Sequence, residues 1–539
     1  MLPGYQPAAG VLGAAISRHR PLWSHFVTPE PRRPLPLWVA LLVAVLAGPM
    51  MDAGFPSQNW WPLTLVGVAM VLVAIRRQSV PRGLLLGFVA GVSFYLVQIS
   101  WAGEYLGPVP WLALTVTESL FWAGFGAFAA LGYRLIPQAW PGRWGRLLVL
   151  PVVLAGLWVG REEFSGAWPY GGFSWGRVAM SQSMGPFAEV VSWGGMALLS
   201  FVLVTLVAVT VSVLEEGVRL GPVSITVVAG ATVLMIVPVY PVESIGTFRV
   251  GAVQGNGPAG YFSERAPGDL VAAQIDASAL LTGERVDAVV WPENASEFDP
   301  LASPAEMARL TAIATSFGAP LTLGTITQRG GLFFNSTLAV DPVDGVVDVY
   351  DKKHPVPFGE YVPDRAFWET LAPDLIGLIQ REYVPGQRDG ILPLGPIAAG
   401  SAICFDITDD RVMRSLVVDG AEIVLAQSNN ADFGRTDESV QQLAIARLRA
   451  IELGRTVVNI STVGTSAIIT PDGATVAQLE PFAPGVMVEN VQTFDTVTPA
   501  VRYGSAVATV LSLGPLLVLA GAAATQLRRF RRPSRVRGR

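Results

Sequence analysis

Cysteine is almost missing from this chain: of 539 residues, only Cys404 carries a thiol. That excludes an intramolecular disulfide and any multi-cysteine metal site. Histidine is nearly as scarce, and His19, His25 and His354 are too scattered to build a metal centre. Charge is thin as well, since Asp, Glu, Lys and Arg make up 15% of the residues against roughly 25% in soluble domains. With 51% hydrophobic residues, this deficit marks an integral membrane protein with a soluble part. A net charge of −5 lacks the basic excess that a nucleic-acid partner needs. Internal repeats and low-complexity linkers are absent. Residues 1–36, rich in Pro and Arg, read as a cytoplasmic tail before an uncleaved first span, not as a leader.

Apolar sequence is abundant. Runs suited to ~30 Å of hydrocarbon occur near 37–55, 59–75, 83–100, 109–133, 147–161, 188–214, 221–241 and 503–526, which predicts about eight spans. Basic clusters orient them. Arg32 and Arg33 precede the first run; Arg76, Arg77 and Arg82 separate the second from the third. Arg134, Arg143 and Arg146 separate the fourth from the fifth, and an arginine-rich tail from Arg528 follows the eighth. All of these fall on one side, the cytoplasm, as does the loop at Glu215–Arg219 with its single arginine. The predicted divisions are a tail at 1–36, seven spans in 37–243, an extracytoplasmic domain over 244–500, an eighth span over 501–527 and a basic cytoplasmic tail over 528–539.

The segment 244–500 has a different pattern. Strand-like runs at 248–253, 286–291, 320–325, 333–340, 397–404, 423–428, 456–460 and 465–470 alternate with helical patterns at 269–281, 304–317, 408–418 and 437–453. This predicts an α/β domain. Asp344-Gly345 and Asp472-Gly473 mark turns between strand pairs.

Three apolar runs end on reactive side chains: Trp291-Pro292-Glu293, Tyr350-Asp351-Lys352 and Ser401-Ala402-Ile403-Cys404. A thiol, a carboxylate and an amine are the parts of a nucleophile, its base and an electrostatic partner. Taken singly, each has a plainer explanation: a lone cysteine is usually a small buried hydrophobe, and Glu293 and Lys352-Lys353 match ordinary surface charge. Context argues otherwise. Cys404 leads into a polar, helix-starting stretch, which predicts a thiolate favoured by a helix N-terminus. Glu293, between Pro292 and Asn294, is placed for a raised pKa. Pro355, Pro357 and Gly359 hold an irregular loop in which Lys352 faces an oxyanion and Glu360 steadies it. Gly172-Phe173-Ser174-Trp175-Gly176 fits the Gly-x-Ser-x-Gly pattern but lies between spans, without strand–turn–helix context. His354 as a papain-type base lacks a clear orienting Asn.

Five patches carry a resemblance: Trp291-Pro292-Glu293, Phe334-Asn335-Ser336, Tyr350 to Pro363, Ile403-Cys404-Phe405-Asp406, and Asn429 to Gly434 leading into Arg447-x-x-Ala450-x-Glu452-x-Gly454-Arg455. Together they resemble the nitrilase (carbon–nitrogen hydrolase) superfamily. The stretch Val356 to Pro363, with Arg161-Glu162, Trp168-Pro169 and Ser181-Gln182, is similar to its membrane-embedded branch, the apolipoprotein N-acyltransferases.

The resemblance implies a polytopic helical membrane domain and a nitrilase-like α-β-β-α sandwich, without cofactor or metal. It implies Cys404 as nucleophile, Glu293 as proton acceptor and Lys352 as oxyanion stabiliser. Glu360, Phe405 through its backbone N–H, and Trp291 would support them. The implied reaction is ping-pong. An acyl chain leaves a membrane phospholipid, rides on the thiol, and passes to the α-amine of a diacylglyceryl-cysteine on a prolipoprotein. The implied setting is the bacterial cytoplasmic membrane, with a monomer whose catalytic domain faces outward. The apolar stretch Phe367, Trp368, Leu371, Leu375, Ile376, Leu378 and Ile379 is expected to form a lid that dips into lipid. Phe405-Asp406 replaces the family's common Tyr-Glu, Asp432 a Trp and Pro355 a Leu, which bears on lid contacts, acyl preference and rate. Two other functions compete: a membrane-tethered amidase acting on a small amide, and a scaffold with an inactive domain.

Overall fold

The computed structural model describes residues 33–216 and 222–531. Residues 1–32 of the predicted tail at 1–36, residues 217–219 of the loop at 215–219 and residues 532–539 of the basic tail at 528–539 lie outside the described residues.

Helices occupy every predicted apolar run. They are α1 (Leu37–Asp52), α2 (Trp61–Ile75), α3 (Val80–Gln98), the short α4 (Ala102–Leu106), α5 (Pro108–Ala139), α6 (Leu150–Ser165), α7 (Val191–Glu215), α8 (Pro222–Met235) and, after the α/β domain, a last helix at Pro499–Arg531. Among the described residues α3, α5, the stretch Ala188–Glu215 and Pro499–Arg528 are long and apolar enough to cross a membrane. The apolar α1 and α2 are shorter. Small residues let the helices approach closely. A Cβ on Gly126 of α5 would sit 2.1 Å from the Gly83 carbonyl oxygen of α3, so that crossing requires glycine.

The α/β domain starts with β1 (Ser244–Gln254), α9 (Asp269–Ser278), β2 (Ala288–Val290), α10 (Pro304–Phe317), β3 (Leu321–Arg329), β4 (Leu332–Asp341) and β5 (Gly345–Asp351). Two short helices, α11 (Arg365–Leu371) and α12 (Pro373–Ile376), interrupt it. Then come β6 (Ile391–Leu394), β7 (Ile397–Ile403), α13 (Asp410–Val418), β8 (Ile423–Ser428), α14 (Glu438–Leu453), β9 (Thr456–Ser461), β10 (Ala467–Ile469), β11 (Thr475–Gln478) and β12 (Gly485–Phe494). The Pro499–Arg531 helix is α15.

Two six-stranded sheets result, ordered β12-β1-β2-β3-β4-β5 and β11-β10-β9-β8-β7-β6. Their facing sides share a core that includes Phe248, Val250, Val290, Leu425, Val458 and Ile460. The helices α9 and α10 cover the first sheet, Val271 and Ala277 of α9 and Leu310 and Ala314 of α10 joining Val289, Trp291 and Leu321 in one core. The second is covered by α13 and α14, whose other sides pack on α7 and α15. The domain is therefore an α-β-β-α sandwich, one helical layer of which is clamped between a sheet and the membrane helices. This explains why β8 and β9, buried at every position, are legible as short strand runs. All eight predicted strands and all four predicted helices are present. The expectation omitted β5, β6, β11 and β12.

Candidate active site

The three reactive side chains leave the carboxyl ends of strands on both sheets. Glu293 follows β2, Lys352 follows β5, and Cys404 follows β7. Cross-sheet bonds lock these ends together. Thr337 of β4 donates to Gln427 of β8 at 2.9 Å, Gln427 donates to the Trp291 carbonyl at 2.6 Å, and Thr462 donates to the Glu293 carbonyl at 2.8 Å.

Lys352 is 2% exposed and lies 2.8 Å from Glu360 Oε2 and 3.7 Å from Glu293 Oε1. Asn335 joins the two carboxylates, its Nδ2 donating to Glu293 at 2.6 Å and to Glu360 at 2.7 Å. Glu360 also accepts from the Val356 backbone N–H at 2.6 Å, which pins the Pro-rich loop. Burial pushes Glu293 up from 4.5 to about 7, with Lys352 pulling against it and Glu360 adding to the rise. Burial works against the Lys352 charge, but Glu360, Cys404 and Glu293 outweigh it and hold its pKa above the usual value.

Cys404 sits at a sharp turn with φ of 49°, a region that L-residues rarely adopt. It opens a five-residue 3₁₀ turn, Cys404–Thr408, and not the α-helix that follows from Asp410. The expected thiolate stabilised by a helix N-terminus is therefore corrected. Burial pushes the thiol well above its ordinary value, Glu293 and then Glu438 and Glu360 reinforce this, and Lys352 opposes it. A thiol pushed in that direction favours its protonated form, so a nucleophilic step calls for a base at the moment of attack.

Asp406 clamps the turn, accepting from Tyr350 Oη at 2.9 Å, the His354 N–H at 2.9 Å and the Ile403 N–H at 3.2 Å. The shorter acid in place of the family's common Glu thus ties the nucleophile's turn to the loop that bears Lys352. Phe405 stacks on Phe173 of the membrane domain, with centroids 6.2 Å apart and planes at 15°. Trp291 points away from the site. Its ring is buried in the core behind Glu293, and its indole N–H donates to Ser278 at 2.9 Å. His354 faces Asp409 at 3.1 Å, and Ser174 accepts from Arg177 at 2.9 Å, so both are engaged in polar contacts elsewhere.

Two residues escaped the sequence reading. Gln442 of α14 donates to Cys404 Sγ at 3.7 Å. One turn earlier, Glu438 is buried and shares Asn430 with Gln442, at 2.7 and 2.8 Å. Burial raises Glu438 to about 8. Their four-residue spacing puts both on one helix face, but nothing local distinguishes that face from an ordinary buried one.

The membrane domain packs against α14 and the turn before it. Trp101 and Trp175 both donate to Gln441 of α14, at 3.1 and 2.7 Å, and Trp101 meets Phe433 edge-on at 5.1 Å. The expected lid is split. Ile376 and Ile379 tuck against Leu106, Phe358 and Trp368, while Phe367, Leu371 and Leu378 stay exposed. No cluster of His, Cys, Asp and Glu among the described residues is arranged to hold a metal.

The apolipoprotein N-acyltransferase N-terminal domain family matches residues 47–209, and the carbon–nitrogen hydrolase family matches residues 249–498. The apolipoprotein N-acyltransferase of Mycolicibacterium smegmatis is 32% identical over 518 residues, covering 89% of this chain and 84% of that one. That of Vibrio cholerae serotype O1 is 27% identical over 489 residues, covering 86% and 93%. A solved amidase from Nesterenkonia sp. is 18% identical with a TM-score of 0.36, covering 49% of this chain and 95% of its own.

Proposed function

The chain belongs to the apolipoprotein N-acyltransferase family, and we propose that Cys404 is its transient acyl carrier. The protein is a membrane-bound acyltransferase of the carbon–nitrogen hydrolase superfamily, and its reaction is the N-acylation of lipoproteins.

In the first half-reaction Glu293 takes the Cys404 proton, and the thiolate attacks the carbonyl carbon of a phospholipid ester. Lys352 Nζ and the backbone N–H of Phe405 face the oxyanion. Collapse breaks the C–O bond, and the leaving lysophospholipid oxygen takes the proton back from Glu293. In the second half-reaction the α-amine of a diacylglyceryl-cysteine attacks the thioester carbonyl and gives a proton to Glu293. Collapse then breaks the C–S bond and restores the thiol. Glu360 and Asn335 position Lys352 and Glu293; Trp291 acts only by holding the strand end.

One observation carries this reading against a small-amide substrate: Phe405, next to the nucleophile, stacks on Phe173 of the membrane domain. The residue after the thiol thus meets the membrane domain, which supports a site that lipid-anchored substrates reach at high effective concentration. The exposed Phe367, Leu371 and Leu378 support a lid that enters the lipid. The basic clusters support eight spans with both termini in the cytoplasm and a catalytic domain on the outer side of the membrane.

The direct test is purified full-length protein incubated with phospholipid and a diacylglyceryl-cysteine peptide. Triacylated peptide is expected; amide hydrolysis without it would sink the proposal. Two pH predictions follow from the base. Glu293 accepts a proton only when ionised, so thioester formation is expected to rise with pH through about 7 and then level off. A flat profile from pH 5.5 to 8.5 would assign the base elsewhere. The Asn335 bond holds Glu293 down, so Asn335→Leu is expected to move that rise upward by about one pH unit. An unmoved midpoint with a uniformly lower rate would give Asn335 a purely structural role.

A further inference from the structure

Gln442 touches the reacting sulfur but is none of the base, the oxyanion donors and the groups that hold them. Its Nε2 lies 3.7 Å from Cys404 Sγ. Side chains at the ends of two strands decide which end of its amide faces the sulfur. Ser461, the last residue of β9, accepts from the Gly464 N–H at 2.9 Å and donates to Asn430 Oδ1. Ser428, the last residue of β8, donates to the same oxygen at 3.2 Å. Two hydroxyl donors on Oδ1 turn the Asn430 amide so that Nδ2 faces the other way, toward Glu438 at 2.7 Å and Gln442 Oε1 at 2.8 Å. With its own oxygen held by Asn430, Gln442 presents an N–H to the sulfur and not a carbonyl. The fit is close: a Cβ on Gly464 would lie 2.3 Å from Asn430 Oδ1. Ser428, Asn430, Glu438, Gln442 and Ser461 are all buried, so a reversed amide would leave donors facing donors out of reach of water.

The sulfur has little positive charge around it. Burial raises the thiol, Glu293, Glu438 and Glu360 add to the rise, and Lys352 opposes it. Lys352 is itself drawn to Glu360 at 2.8 Å. A thiolate in such surroundings gains from a donor that neither titrates nor carries charge, and a carboxamide is one. Glu293 is steered separately, by Asn335 at 2.6 Å. Proton removal and thiolate stabilisation thus fall to different amides.

We propose that Gln442 is a further catalytic residue, whose carboxamide N–H stabilises the Cys404 thiolate as it forms before attack and as it leaves the thioester, and that Asn430 is the positioning residue that turns this N–H toward the sulfur. No proton moves along the bond, since Glu293 takes the thiol proton and returns it. The 3.7 Å contact belongs to the neutral thiol and tightens as charge develops on sulfur. This role rests on Cys404 as the acyl carrier.

Gln442→Met keeps the side-chain length and removes the donor. Cys404 is the only thiol and is partly exposed. Labelling of full-length protein in detergent with iodoacetamide, followed by intact mass, therefore reads this sulfur alone and needs no lipid substrate. Loss of a donor to a charged group raises a thiol pKa by about one pH unit. A more basic thiolate is also more nucleophilic, so labelling at neutral pH is expected to slow by about threefold. Thioester formation from phospholipid is expected to slow by about tenfold. A glutamine that only supports the fold predicts the opposite sign, because a loosened site exposes the sulfur. Labelling as fast as wild type or faster, with or without slower thioester formation, would overturn the proposal. Asn430→Leu, which frees the Gln442 amide to turn, is expected to slow labelling in the same direction and to add nothing in a Gln442→Met background. It decides the case if Gln442→Met does not fold, and additive losses would overturn the positioning role. Wild-type protein that is labelled yet takes up no acyl group would sink the acyl-carrier reading, while the labelling comparison still decides whether Gln442 stabilises the thiolate.

Discussion

Cys404→Ala is expected to reduce acyl transfer to background, a loss of roughly 10⁴-fold or more, with little change in folding. The residue is the only thiol in the chain, so no neighbouring sulfur can take over. The small cluster around it, with Tyr350, Leu392 and Ile403, keeps its packing when one sulfur is removed. Intact mass gives the readout. Wild-type protein mixed with phospholipid gains one fatty-acyl increment that hydroxylamine removes, and Cys404→Ala gains none. Residual transfer above about 1% of wild type would mean that the acyl group does not travel on this sulfur. Serine at 404 is expected to fail as well, because the site holds a weakly acidic group and Glu293, near pKa 7, is too weak a base for an alcohol.

The second large effect is expected at Lys352. Lys352→Met keeps the side-chain length and removes the one cation that, among the described residues, contacts both Glu293 and Glu360. Loss of an oxyanion donor is expected to cost about 10²–10³-fold in thioester formation. Loss of a buried ion-pair partner is expected to cost about 3–5 kcal/mol of stability as well. The two effects separate by pH. Lys352 holds the Glu293 pKa down, so in Lys352→Met that carboxyl titrates higher and residual activity needs a more alkaline solution. Lys352→Arg is also expected to be poor, because a forked guanidinium does not fit a pocket built around a point charge. Thermal unfolding and the pH dependence of thioester formation, measured together, check this. A stability loss with unchanged transfer per folded molecule would reduce Lys352 to a structural ion pair.

Much of the site was legible because its members end apolar strands. A reactive side chain after Val289-Val290-Trp291 or Ala402-Ile403 is unusual enough to stand out. Glu360 was legible for a different reason: Pro355, Pro357 and Gly359 hold its loop out of regular structure. Other contributors were hidden. The patch around Asn335 was visible in the sequence but its role was not, since it becomes a bridge only because β2 and β5 bring Glu293 and Lys352 to its sides. Glu438 and Gln442 belong to a helix whose burial looks ordinary in sequence. The misjudged feature was the charge state of Cys404. Local order promised a helix N-terminus, whereas burial, reinforced by Glu293, Glu438 and Glu360 from distant segments, pushes the thiol pKa the other way.

The strands missed from the sequence follow the same logic. Glu489, Asn490 and Gln492 make β12 look like a polar loop, and only pairing with β1, more than 200 residues earlier, makes it a strand. By itself, the sequence determined that this is a membrane protein with one α/β domain, where its apolar runs lie, and which thiol, carboxylate and amine the proposed chemistry calls on. Those properties depend on composition and short-range pattern. Tertiary structure alone decided that α13 and α14 are pressed between a sheet and the membrane helices, that Phe173 of the membrane domain stacks on Phe405, and that burial pushes the Cys404 thiol up. Each depends on burial and charge contributed by residues far apart in the chain, and no local pattern encodes them.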